Sequence, residues 1–416
     1  MSRPAAASLA PINPFRVLVR HRNFRLFWTG QTLSLIGTWM QSMAQGWLAL
    51  ELSNNAFLVG LVSAIGSLPV LLFSLHAGAV ADRVDKLKLV MAMQTLMLVE
   101  ATLLWWFTWS GHITIGWLLV LAASNGLFSA FEIPARQALM VELVAREDLH
   151  DAIALNSSGF NLARILGPSI AAAVIAGAGL AWCFAVNAAS YLAVLVGLFM
   201  IQLPPRAVVE ARLGLARTSA GVGEGLRYIA STPPVSALMK LVTVFSVLGI
   251  PYLTLMPVVA RDLLKTGAAG YGVLLAFVGV GGLAGALFLA AVGRRFRRGR
   301  MLVWSSFSYA ALLIAFSLAR SVAVARPILL LAGFTMILNS ALSNGALQSI
   351  VPDAFRGRLM AAYSLVVVGL AQVVGAFVAG AVARAIGVDW AIGGGAALIL
   401  AYTAWAVWRQ PELGEL

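Results

Sequence analysis

Cysteine occurs once in 416 residues. Cys183 has no partner for an internal disulfide, and its place in an apolar run says nothing about redox compartment. Four histidines are present, no two of them at metal-ligand spacing, so no metal site is expected. No Gly-x-x-x-x-Gly-Lys-Ser/Thr loop appears, which excludes ATP as a direct driver. The stretch GVGGLAG at 279–285 has the Gly-x-Gly-x-x-Ala outline of a dinucleotide loop. It lies inside an apolar run with no strand before it, so close helix packing accounts for it and no cofactor is expected. Charge is also scarce. Asp, Glu, Lys and Arg make up 11% of the chain, against about a quarter in a soluble domain.

What fills the chain is apolar sequence, 61% of it. A helix needs roughly 20 apolar residues to cross a hydrocarbon core of about 30 Å. Twelve such runs follow one another: 26–50, 57–80, 89–109, 114–133, 151–176, 183–203, 236–260, 271–292, 301–319, 327–349, 358–383 and 390–408. Little remains for a soluble domain. The basic segment before the first run has no short apolar core ending in a cleavage site, so no removed signal peptide is expected.

The net charge of +13 would suit nucleic acid, but its distribution argues otherwise. With twelve spans and a cytoplasmic N-terminus, only Arg261, Lys265, Arg320, Arg326 and Arg384 fall in external loops, and Arg164 falls inside the fifth run. All other Lys and Arg lie on the cytoplasmic side. This positive-inside bias places both termini in the cytoplasm and explains the charge without a nucleic-acid partner.

The chain also repeats itself. LARILGPSIAAAV at 162–174 resembles LAQVVGAFVAGAV at 370–382, an offset of 208 residues, and Ser-Asn-Gly at 124–126 recurs at 343–345. Asp82-Arg83 falls opposite Arg294-Arg295, each pair between the second and third runs of its half. The expectation is two six-helix halves, 1–203 and 236–416, joined by a cytoplasmic linker at 204–235 with one short amphipathic helix near 220–230.

GAVADRVDKLKLV at 78–90 concentrates charge between the second and third runs. Gly78, Asp82 and Arg83, followed by Lys86 and Lys88, resemble the signature loop of the major facilitator superfamily. Asp85 stands where that family has a second Gly, and Leu87 splits the usual basic pair. The copy in the second half keeps Gly293 and the Arg cluster but lacks the Asp. NFRLFWTGQTLSLIGTWM at 23–40, PARQALMVELVAREDLHDAIALNSSGFNLARILGP at 134–168 and VPDAFRGRLMAAYSL at 351–365 are similar to the branch of macrolide-efflux pumps and enterobactin-type siderophore exporters. The resemblance implies an all-α integral membrane protein, with twelve transmembrane helices in two pseudo-symmetric bundles around a central cavity lined by helices 1, 4, 7 and 10.

The charged loop has two readings. Asp82 can meet the start of helix 11 or pair with Arg83 or Arg136. Glu132 and Arg136, four apart, share a helix face. Gly78, Asp82, Arg83, Glu132 and Arg136 would then latch the halves together on the cytoplasmic side. Alternatively the loop serves only topology and solubility.

Polar residues at membrane depth are costly and face a cavity or a partner. Gln31, Ser34, Thr38, Gln41 and Gln45 form one stripe on the first helix, with Trp39 beside it. Under the implied architecture they line the cavity, with Asn125, Asn161, Arg164, Tyr252, Asn339, Ser343 and Asn344. Interhelical hydrogen bonding is the alternative. Pro251 should kink the seventh helix. Glu100 is the carboxylate near the middle of an apolar run, which makes it the candidate for proton coupling or a neutral structural group. Arg164 keeps its charge in essentially any setting. It binds an anionic or carbonyl-rich part of the substrate, tunes a coupling carboxylate, pairs with Glu100 or Glu132, or snorkels to a water pocket.

These readings converge on a secondary transporter of the inner membrane, exporting a small amphipathic molecule by alternating access coupled to protons, and acting as a monomer. A lipid or lysolipid flippase on the same fold is the alternative. A membrane enzyme would need a nucleophile, an acid–base pair or a metal cluster at membrane depth, and the sequence offers none.

Overall fold

The computed structural model describes residues 15–202, 227–293 and 297–411. Twelve long helices account for most of them: α1 Arg22–Ser53, α2 Ala56–Arg83, α3 Lys86–Trp109, α4 Ile115–Glu142, α5 Leu149–Ala178, α6 Ala181–Phe199, α7 Pro233–Leu263, α8 Ala268–Val292, α9 Arg298–Leu318, α10 Val322–Ile350, α11 353–386 and α12 Val388–Arg409. Each expected run lies largely within one of them. Among the described residues, eleven are long and apolar enough to cross a membrane. The twelfth is α1, whose 32 residues carry the polar stripe that lowers its hydropathy. The linker at 204–235 lies mostly outside the described residues. Of its expected short helix, residues 227–231 are helical. Arg294 and Arg295 also lie outside the described residues.

Local sequence sets the helix ends. The Asn55 side chain accepts from the Phe57 amide and caps α2. Asp85 accepts from the Lys88 amide at 3.1 Å and caps α3. The residue that departs from the family loop thus starts the next helix. Gly179 after α5 and Gly387 after α11 have φ of 99° and 103°, a backbone that favours glycine, and they stand at corresponding places in the two halves. In α7, the π stretch Phe245–Gly249 gives way to a turn at Ile250 and Pro251 before the helix resumes at Tyr252. Proline has no N–H to give the preceding turn, and the interruption falls where the sequence expects a kink.

The same neighbour pattern recurs in each half. In the first, α1 packs on α5 and α6, α2 on α4, and α3 on α4 and α6. In the second, α7 packs on α11 and α12, α8 on α10, and α9 on α10 and α12. Between halves, α2 runs along α11 and α5 along α8.

Among the described residues, a shared apolar core closes the seam between the halves at one end only. At the end remote from the termini, a single apolar core joins both halves, including Met43, Trp47 and Val59 with Tyr252, Met256, Tyr271 and Leu274. Trp47 stacks on Tyr271 across the seam at 6.1 Å, and Phe57 meets Phe377 edge-on at 5.3 Å. Backbones touch there: a Cβ on Gly60 would lie 2.5 Å from the Ala376 carbonyl, and one on Gly272 would lie 2.7 Å from the Pro168 carbonyl. At the end that carries the termini, each half has its own core. One holds Phe24, Phe27, Leu139 and Leu198; the other holds Leu238, Leu302, Leu347 and Leu359. Gly78 at that end has open space around it.

Candidate functional site

Glu100 on α3 is 2% exposed and points into the first half. Gln41 on α1 donates to its two oxygens at 3.3 and 3.1 Å, and Asn125 on α4 donates at 3.1 Å. Asn187 on α6 donates to the Gln41 side-chain carbonyl at 2.7 Å, and Ser190 donates to the Asn187 side chain. Four helices therefore converge on one carboxylate through neutral amides. Asn187, fully buried, was not among the sequence candidates, although an amide well inside the apolar run 183–203 was a signal for it. In the second half the helices corresponding to α1 and α3 meet through aromatics instead. Tyr309 packs against Phe245 at 4.6 Å and Tyr252 at 6.3 Å, and its hydroxyl donates to the Gly249 carbonyl.

The α1 stripe turns mainly toward the interior of its own half. Gln31, Ser34 and Gln41 are buried, and Thr38 stands 3.4 Å from the Tyr191 hydroxyl on α6. The Gln31 carbonyl and the Gln45 amide nitrogen have no hydrogen-bond partner among the described residues. Trp39 packs on α5, edge-on to Phe160 at 5.8 Å. On α10, Asn339 is buried and donates to Ser306 on α9 at 2.6 Å. Ser343 is buried without a partner among the described residues, whereas Asn344 is half-buried and bonded to Gln348.

Arg164 lies at the α5–α8 seam. A Cβ on Gly282 of α8 would be 3.0 Å from its Nη2, so its guanidinium rests where α8 has no side chain. It interacts electrostatically with Tyr252, which is 3% exposed and whose hydroxyl has no partner among the described residues. Asn161, one turn earlier, is half-buried and bonded to the Ser157 carbonyl. The alternative ion pairs for Arg164 are not formed: Glu100 is held as above, and Glu132 is held by Arg136 at 2.9 Å and Gln94 at 3.1 Å.

In the loop, Asp82 and Arg83 are exposed and make no ion pair or side-chain hydrogen bond among the described residues. Arg136 is committed to Glu132 on its own helix, and Lys86 pairs with Glu142. Among the described residues, the ion pairs Arg20–Asp148, His21–Asp148, Lys86–Glu142 and Arg136–Glu132 at this end each lie within the first half.

Two pseudo-symmetric six-helix halves, closed at one end over polar groups at membrane depth, define a multi-pass membrane protein of the major facilitator fold. The chain belongs to the transmembrane secretion effector family (MFS_3), whose profile matches residues 9–415. It is 27% identical over 291 residues to the staphyloferrin A transporter of Staphylococcus aureus, covering 68% of this chain and 71% of that one. It is 24% identical over 330 residues to the multidrug efflux pump Tap of Mycolicibacterium fortuitum, covering 78% and 80%. With the enterobactin exporter EntS of Shigella flexneri it shares 22% over 344 residues, covering 82% and 81%. Its fold is similar to that of a bacterial homologue of the lysosomal transporter Spinster in an inward-facing, unoccupied conformation (TM-score 0.70, 14% identity, 97% of each chain). Both resemblances read from the sequence, to the superfamily and to its exporter branch, are thereby met, and the enzyme alternative ends with the family assignment.

Proposed function

We propose that this transporter exports a small amphipathic molecule across the inner membrane by alternating access driven by protons. The observation that carries the reading is the single apolar core that bridges the halves at one end while the other end has two separate cores. A barrier at one end only is what a rocking pair of halves presents in one of its two states. The Lys and Arg distribution puts both termini, and hence the open end, in the cytoplasm. The halves are 1–203 and 236–416 with the linker between them, and one chain suffices as a monomer.

Glu100 is the proton carrier in this reading. Its donors are the neutral amides of Gln41 and Asn125, and no cation among the described residues pairs with it to lock it in the charged form. An amide pair can serve a carboxylate and, after reorientation, a carboxylic acid. Asn125 belongs to α4, a cavity helix by family architecture, so a change at Glu100 reaches the cavity wall directly. When the cytoplasmic end closes, Gly78, Asp82 and Arg83 meet the second half as a latch.

The test is transport in proteoliposomes under an imposed pH gradient, with drugs, siderophores and lysolipids as substrates. Proton flux stimulated by a drug or siderophore supports the reading; none with any of the panel removes it. Stimulation by lysolipids alone favours the second reading, a lipid flippase, which draws on the cation at the α5–α8 seam where a head group reaching between the halves would meet it.

A further inference from the structure

A guanidinium at membrane depth needs water or an anion, because it cannot shed its charge. Arg164 has neither a carboxylate nor a hydrogen-bond acceptor among the described residues. Glu100 and Glu132 are held elsewhere, Asp262 pairs with Arg261, and α8 contains no acidic residue. The repeat does not require the charge either, since the counterpart position is Gln372. The packing nevertheless makes room for it. Along α8, Gly279 lies against Ile165 and Gly282 against the guanidinium itself. Within electrostatic range of it is the buried hydroxyl of Tyr252 on α7, which has no partner among the described residues. A forked cation and a free hydroxyl from different halves form a donor set without its acceptor.

We propose that Arg164, lying across Gly282 at the seam of the two halves, receives the anionic group, a carboxylate or a phosphate, of the transported molecule. The site spans α5 of one half and α7 and α8 of the other, so an anion bound there contacts both moving bodies. The inference rests on the transport reading but is separable from it, because binding needs no turnover.

The experiment is fluorescence titration of the purified full chain in detergent with two probes differing only in charge: dansylglycine, a carboxylate, and dansylglycinamide, its neutral amide. Lysophosphatidylglycerol, set against a neutral monoacylglycerol, supplies the phosphate arm. Wild type should favour an anionic probe over its neutral partner by tenfold or more, and the arm that shows this identifies the source of the anion. Arg164→Gln should bring the ratio to about one. Gly282→Val keeps the charge but fills its resting place, and should reduce the ratio several-fold; it also serves if Arg164→Gln does not fold. Arg164→Lys should keep only part of the preference, because an ammonium lacks the fork. Equal binding of anion and neutral partner by wild type in both arms, or an unchanged preference in the folded variants, overturns the proposal. Either result leaves the one-ended closure, and the transport reading built on it, intact.

Discussion

The Gln41 amide on α1 donates to both oxygens of Glu100 on α3, and both side chains are buried. Gln41 is in turn fixed by Asn187 on α6. A buried carboxylate that its own half presents only with amide donors is suited to taking up and losing a proton without dismantling the bundle.

Glu100→Gln is therefore expected to fold and reach the membrane but to lose accumulation driven by a pH gradient. Downhill movement should persist. Accumulation equal to the parent's would move the coupling to another group. Glu100→Leu should be less stable than Glu100→Gln, because it leaves the buried Gln41 amide without an acceptor, at about 1–3 kcal/mol, and takes the carboxylate from the half-buried Asn125 amide. Thermal unfolding in detergent compares the two variants; a leucine variant as stable as the glutamine variant contradicts the network.

Two glycines separate packing inside a half from packing between halves. A Cβ on Gly126 would run into the Gly66 carbonyl, both within the first half, whereas one on Gly60 meets Ala376 and Gly380 of the second. Gly126→Ala should cost about 1–3 kcal/mol of stability by overpacking. Gly60→Leu should leave each half intact and wedge the closed end open. Maleimide labelling of Asn55→Cys would then rise in the Gly60→Leu background and stay low in the Gly126→Ala background. Low labelling in both would show that α2 and α11 are not what closes this end.

Asp82→Asn should leave the protein in the membrane and shift it further toward the state open at the termini end. The exposed Asp82 has no partner among the described residues, so its contribution falls in the opposite state, when the second half approaches. Cysteine labelling of cavity positions reads this shift. Unchanged labelling together with unchanged transport would reduce the charged loop to a topology signal.

The twelve spans, the two halves and the family were legible in the sequence because each rests on long patterns: apolar run length, the offset of about 208 residues, and the motif around Asp82. The direction of the α1 stripe was not. Helical spacing puts Gln31, Ser34, Thr38 and Gln41 on one face, but only packing decides whether that face looks at the cavity or at α3 and α6. Asn187 was missed because one amide in an apolar run carries no periodicity. For Arg164 the sequence offered an ion pair with Glu100 or Glu132. That pair is absent because Gln41 and Asn125 hold the first and Arg136 and Gln94 hold the second. Such competition between partners is decided by tertiary structure alone.

The central claim is that the two ends of the seam open in alternation. Double electron–electron resonance in lipid nanodiscs measures this directly, with Cys183 replaced by Ala so that labels attach only where intended. One label pair goes on Asn55→Cys and Arg384→Cys, which line a cavity of about 480 Å³ at the closed end. The other goes on Val84→Cys and Ser349→Cys at the termini end, one in each half. Across alkaline and acidic buffers, and with an exported substrate added, the account predicts two populations at each pair with opposite responses: where the first distance lengthens, the second shortens. Distances that stay fixed under every condition, or that lengthen and shorten together, would contradict it.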